Sequence, residues 1–263
     1  MQINRFNFIR WYSNVAIDQT INIPRFANRQ AKIYMPVIAI GEAFSFYINC
    51  DVPFADGSGT LDLVGQGGTV YANVSPLSVD AIPDGGGYNI YCNGVLSVPA
   101  GQYQFVIKNG ATVKCISNVI NVMSLSNAEK VTVPVAFRNS RDMYRFRFTD
   151  NPEYSNKIRL HLGLVEWAPE GNFEQYREVS TGTLRNEKFD LDRKVKLETY
   201  YFDDGAHEAM SVFCAMDDIQ INGIKYLAKG VYNPAARSSS NVSKGEAEFY
   251  DQEISKINKY GKR

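Results

Sequence analysis

Residues 194–230 read KVKLETYYFDDGAHEAMSVFCAMDDIQINGIKYLAKG. The run from Lys194 to Phe202 is rich in β-branched and aromatic residues and predicts a strand. Asp203 or Asp204 then stands where a carboxylate would cap a helix and meet the positive end of its dipole. The segment AHEAMSVFCAM follows, with Ala206, Met210 and Phe213 spaced to bury one helical face. Asp217-Asp218 predicts a turn in which aspartate bonds its own backbone, and IQINGIKYLAKG predicts a hairpin. The stretch is therefore expected to fold as strand, turn, short helix and hairpin.

It also holds His207 beside paired carboxylates, the residue types of a metal or acid–base site. His207-Glu208 begins like an HExxH zinc motif, but the second histidine needed one turn later is Ser211. His161 is the only other histidine. Asp203-Asp204 and Asp217-Asp218 lack the alternating oxygen ligands and central glycine of an EF-hand. The chain has no GxGxxG, no GxxxxGK[ST] and no GxSxG. No catalytic, cofactor-binding or metal-ligating residue is therefore expected, and no cofactor. Asn73-Val-Ser75 and Asn241-Val-Ser243 match the sequon pattern and carry no weight without a secretion signal.

Outward from this unit, glycine and charge divide the 263 residues in two. Twelve of the 20 glycines fall between Gly41 and Gly110, whereas 14 charged residues precede Ser124 and 42 follow. Two modules are expected, spanning 31–124 and 125–263 and joined near SLSNAEK (Ser124–Lys130), with residues 1–30 as an N-terminal arm or first strand. In the first module Phe44, Phe46 and Ile48 alternate with Ser45, Tyr47 and Asn49, the period of a half-buried strand. Asn93-Gly94 and Asn109-Gly110 each predict a type I′ hairpin. Glycine clusters at 57–59, 65–68 and 84–87 predict loops. The pattern predicts an immunoglobulin-like β-sandwich.

The second module is expected to be β-rich with one short α-helix. VTVPVAF (Val131–Phe137) contains Pro134, which predicts an edge strand. MYRFRF (Met143–Phe148) predicts a strand with an aromatic and a basic face, and a single-strand nucleic-acid platform would give the same pattern. IRLHLGLVEW places Ile158, Leu160, Leu162 and Leu164 on one face, and EAEFYDQEI predicts a final strand. RSSSNVSK (Arg237–Lys244) reads as a flexible loop and SKINKYGKR as a frayed tail.

The formal net charge is +0, from 28 basic and 28 acidic residues, which argues against bulk binding to nucleic acid or an anionic membrane. No segment reaches the roughly 20 apolar residues of a membrane helix, and no signal peptide is visible. Cys50, Cys92, Cys115 and Cys214 form no CxxC pair and read as reduced core residues. A Cys50–Cys92 or Cys92–Cys115 bridge would need an oxidising compartment. Extensive β surface and 13% aromatic content suit an assembly protein.

LETYYFDDGAHEAMSVFCAMDDIQINGIKYLAKG followed by KGEAEFYDQ resembles the C-terminal modules of virion structural proteins of crAss-like tailed phages of gut Bacteroidales. FSFYINC, GQYQFVIKNG and SNVINVMS resemble the β-sandwich often placed before that module. The resemblance runs from about Lys32. It implies a tail or neck component made in the host cytoplasm, a homo-oligomeric ring contacting tail, portal or collar proteins, with DNA reached at most through a ring lumen. It implies no catalytic residue and no membrane anchor. Two alternatives differ in class: a carbohydrate-binding adhesion module using Trp11 or Trp167, and a hydrolase assembled around His207 and its neighbouring aspartates.

Overall fold

A computed structural model describes residues 7–13, 34–50, 52, 59–65, 68–71, 78–84, 87–235 and 242–252. The fold is mainly β, as expected. In the first half the strands are β1 (Trp11–Ser13), β2 (Val37–Ala39), β3 (Ala43–Cys50), β4 (Gly59–Gly65) and β5 (Val70–Tyr71). They are followed by β6 (Ser78–Asp84), β7 (Gly87–Val95), β8 (Gly101–Asn109), β9 (Thr112–Ser117) and β10 (Ile120–Met123). After helix α1 (Leu125–Val131) come β11 (Val133–Arg138), β12 (Asn156–Leu160), β13 (Leu162–Arg177) and β14 (Leu184–Phe202). Helix α2 (Asp204–Cys214) leads into β15 (Asp218–Ile221), β16 (Ile224–Ala228), β17 (Asn233–Pro234) and β18 (Ser243–Asp251).

In the first half, β3 pairs antiparallel with β7 and β7 with β6, while β4, β9 and β10 pair with β8. These two ladders face each other through Phe46, whose ring centroid lies 4.9 Å from that of Phe105. Trp11 completes the layer 5.5 Å from Phe46. The arrangement is sandwich-like. The β8–β9 hairpin forms where expected, but not as a type I′ turn on Asn109-Gly110: Asn109 pairs with Thr112, and the two-residue loop is Gly110-Ala111, with Gly110 at φ +56°. Asn93-Gly94 does not turn the chain. It lies within β7, where Asn93 pairs with Ser45 and Gly94 with Phe44, because the eight-residue β3 provides a ladder that outweighs local turn preference.

β3 is also buried on both faces. Phe44, Phe46 and Ile48 are buried as expected, but so are Ser45 and Tyr47. Tyr47 packs against Tyr91 and Phe146, the latter contributed by the second half.

In the second half, antiparallel pairing runs β12–β11–β15–β16–β18–β14–β13. Three expectations are corrected. Pro134 is not on an edge strand: β11 pairs with β12 and, from Val135, with β15, while the Pro134 carbonyl accepts the Asn222 N–H at 2.8 Å. MYRFRF is not a strand but a tight turn closed by Met143 and Phe146, with Phe146 and Phe148 buried beneath it. The module has two helices rather than one, since SLSNAEK forms α1, stopped as Thr132 extends.

Strands of the two halves pair across the junction. β10 runs parallel to β2, and β12 pairs with β2 at Arg159↔Val37 and with β3 at Lys157↔Ser45. One apolar cluster contains Trp11, Phe46 and Phe105 together with Phe137, Phe213 and Phe249. Of the N-terminal segment, residues 7–13 follow the first-strand reading: β1 pairs with β9, and Phe8, Ile9 and Trp11 are buried. Residues 14–33, 236–241 and 253–263 lie outside the described residues; of the segment Arg237–Lys244 expected as a loop, Ser243 and Lys244 instead open β18, with Val242 and Ser243 buried.

Candidate functional site

Helix α2 starts where the sequence places it. Asp203 is the N-cap: its Oδ1 accepts the Ala206 N–H at 2.9 Å, satisfying a donor that the first turn leaves open. Its Oδ2 accepts Arg10 Nη2–H at 2.7 Å and the Tyr34 N–H at 2.8 Å. One carboxylate thus binds a helix, the N-terminal segment and the lead into β2. Arg10 crosses the face of Gly205, where an added Cβ would displace the Arg10 side chain. Asn118 fixes the same segment from the other side, exchanging bonds with the Arg10 backbone at 2.9 and 2.7 Å.

Behind the cap, His207 is buried and bonded at both ring nitrogens, Nδ1 to the Tyr232 hydroxyl at 2.6 Å and Nε2 to Ser243 Oγ at 2.9 Å. The direction of these bonds follows from the far end of the chain. Thr199 Oγ1 donates to the Gly245 carbonyl at 3.4 Å and so accepts from Tyr232 at 3.1 Å. Tyr232 then accepts from His207 Nδ1–H, which leaves Nε2 to accept from Ser243. Burial lowers the His207 pKa, with the nearby Asp203 charge opposing the shift, and burial raises that of Tyr232. Burial thus favours the neutral imidazole.

The Nδ1–H form is the tautomer a histidine base would need beside a serine. Three features make it a structural network. Ser243 and His207 are each 6% exposed. Nδ1 bonds a phenol rather than a carboxylate, and the nearby Asp203 charge only partly offsets the burial that disfavours an imidazolium. The cleft of about 120 Å³ between β2, β3, β11 and β12 is lined by Glu42, Phe44, Lys157 and Arg159 and includes neither Ser243 nor His207. Ser211, at the second position of the zinc motif, donates its hydroxyl to the His207 carbonyl at 2.9 Å. No group of three or more metal-ligating side chains occurs among the described residues. Asp217 does not bond its own turn as expected. Its carboxylate accepts the Ser140 N–H at 3.0 and 3.1 Å, tying the loop after β11 to the start of β15. Trp11 is 2% exposed in the core, which removes it as a sugar platform.

The exposed counterpart is the β13–β14 hairpin. β18 pairs with β14 only over Lys194–Phe202. Beyond it, the ladder from Pro169↔Arg193 to Arg177↔Leu184 pairs strand with strand alone among the described residues. Nine residues at ~3.3 Å each make an arm about 30 Å long. Its tip is ordered: Gly182, at φ +68°, donates to the Glu178 carbonyl at 2.8 Å, and Glu178 N–H donates to Thr183 at 2.9 Å. Tyr176, Val179 and Leu184 are 46%, 101% and 53% exposed there. The 41-residue stretch Leu162–Phe202 carries two turn-forming clusters, Pro169-Glu170-Gly171-Asn172 and Ser180-Thr181-Gly182, and the chain reverses only at the second. Tyr232, Thr199, Ser243 and Arg10 carry no local signal, because their partners lie 25 to 193 residues away. Comparison with known protein families, with curated proteins and with solved structures finds no match for the chain.

Proposed function

We propose that this protein is a structural component of a tailed-phage virion and assembles as a homo-oligomeric ring in the tail or neck. The observation that carries the reading is the β13–β14 arm. A two-stranded ribbon is marginal in water on its own, and one with exposed apolar residues at its tip gains by burial against a neighbour. A contact between the arm and a different surface of the next copy is heterologous, and heterologous contacts close into rings when the rotation permits. The neutral net charge suits protein–protein contact over bulk DNA binding. The buried state of His207 and Ser243 favours this reading over the hydrolase alternative.

Electron microscopy and sedimentation of the purified protein test the proposal, with proteomics of purified virions as the deciding measurement. Rings, or stoichiometric presence in virions at a copy number set by cyclic symmetry, are expected. A chain that stays monomeric at every concentration and is missing from virions overturns the proposal.

A further inference from the structure

The turn that replaces the expected MYRFRF strand breaks a local rule. Tyr144 and Arg145 occupy its two central positions at φ +49° and +65°. Met143 and Phe146 close it, with Phe146 N–H donating to the Met143 carbonyl at 2.8 Å. Such a pair of left-handed residues suits Asn-Gly and is strained for two bulky side chains. The strain holds Tyr144 and Arg145 outward, Tyr144 at 45% exposure, over buried Phe146 and Phe148. Strained backbone of this kind points to a contact surface.

The turn is also strongly basic. Between Arg138 and Arg147 stand four arginines and one acid, Asp142, a local charge of +3. Asp142 is committed to Arg147 at 3.3 Å and to the Thr149 N–H at 2.9 Å. Arg141 and Arg145 are exposed and have no ion-pair partner among the described residues. The arm is the complement. Pro169–Asp192 contains six acidic and three basic residues, a charge of −3. Its register sets Glu170 opposite Asp192 and Asn172 opposite Asp190, alternating with Gly171 opposite Leu191 and Phe173 opposite Phe189. The register also sets Glu174 opposite Lys188, and the excess of acidic over basic residues along the ribbon suits a cationic partner.

We propose that the acidic β13–β14 arm of one copy docks on the arginine-bearing turn Arg138–Arg147 of the next. Tyr144 and the arginines supply the anchor types that dominate interface energies, and opposite fields set register and encounter rate. The inference rests on the ring reading and names its contact.

Sedimentation of three full-length variants tests it. Arg141→Glu/Arg145→Glu turns the docking surface negative, and Glu170→Lys/Asp190→Lys turns the arm positive. Each is expected to weaken self-association at least tenfold with unchanged thermal unfolding. All four substitutions in one chain restore opposite signs and are expected to associate more tightly than either pair alone. Arg141→Lys/Arg145→Lys should associate nearly as the wild type. If the wild type assembles and Arg141→Glu/Arg145→Glu assembles equally well, the contact is wrong while the ring stands. Failure of the fourfold variant to exceed the single pairs also overturns the contact. So does loss of duplex DNA binding, read by fluorescence anisotropy, in Arg141→Glu/Arg145→Glu with self-association intact, which would make the turn a nucleic-acid surface.

Discussion

β14 serves two regions that treat it in opposite ways. Its C-terminal part brings Thr199 and Phe202 into the region around α2, where Asp203 caps the helix and His207, Tyr232 and Ser243 satisfy one another out of water. Its N-terminal part, beyond β18, pairs with β13 alone among the described residues. The cluster joins residues 25 to 193 positions apart through buried polar bonds, whereas the arm exposes Tyr176, Val179 and Leu184 and carries a net charge of −3 over residues 169–192. The cluster ties distant parts of the chain together, whereas the arm is the part the proposed contact would use.

Substitutions should separate the two by stability and by assembly. The largest loss of stability is expected from Gly245→Ala, since a Cβ there would stand 2.0 Å from the Tyr232 hydroxyl. Tyr232 would leave, and His207 and Thr199 would lose their partner, costing ~3–5 kcal/mol in urea unfolding. Asp203→Ala should cost about 3 kcal/mol, because it removes the cap and strands Arg10 beside a helix N-terminus. A loss below ~1 kcal/mol for either would show that these ties contribute little to the fold.

The next effect depends on pH. Burial depresses the folded-state pKa of His207, and of His161, below the usual 6.5. The unfolded chain then binds more protons on acidification, so stability is full above about pH 6.5 and falls as pH drops through the depressed values. His207→Asn should flatten part of that slope relative to wild type, and an unchanged slope would show that His207 is not held neutral.

On the contact side, Tyr144→Asn/Arg145→Gly should stabilise the monomer by ~1 kcal/mol, because it relieves the left-handed strain. The same change should weaken self-association. The smallest stability change is expected for Val179→Ser at the arm tip, within ~0.5 kcal/mol, as for a surface residue without packing. A larger loss would mean that the arm packs on its own body and would break the contrast.

The sequence made much of the body legible. The cap at Asp203, the buried face Ala206–Met210–Phe213, the β8–β9 hairpin and the last strand are local patterns, and local patterns survive because 3.6 and 2.0 periodicities are backbone properties. The reading failed where a distant strand or a packed surface outranked local preference. Asn93-Gly94 was drawn into β7 by β3, Pro134 was enclosed between β12 and β15, and the MYRFRF alternation became a turn seated on Phe146 and Phe148. Asp217 found Ser140 rather than its own backbone.

By itself, the sequence determined a mainly β chain, a capped helix in a strand–helix–hairpin unit, and a histidine without the ligands of a zinc motif. Only the tertiary structure decided that His207 is sealed into a hydrogen-bonded chain, that Arg10 latches the N-terminal segment to Asp203, and that β13 and β14 run on past β18 as an arm. The reason is range. Periodicity and capping are set by residues within a turn or a strand, whereas the partners that fix a buried network, or leave a ribbon without one, are chosen by pairings across the whole chain.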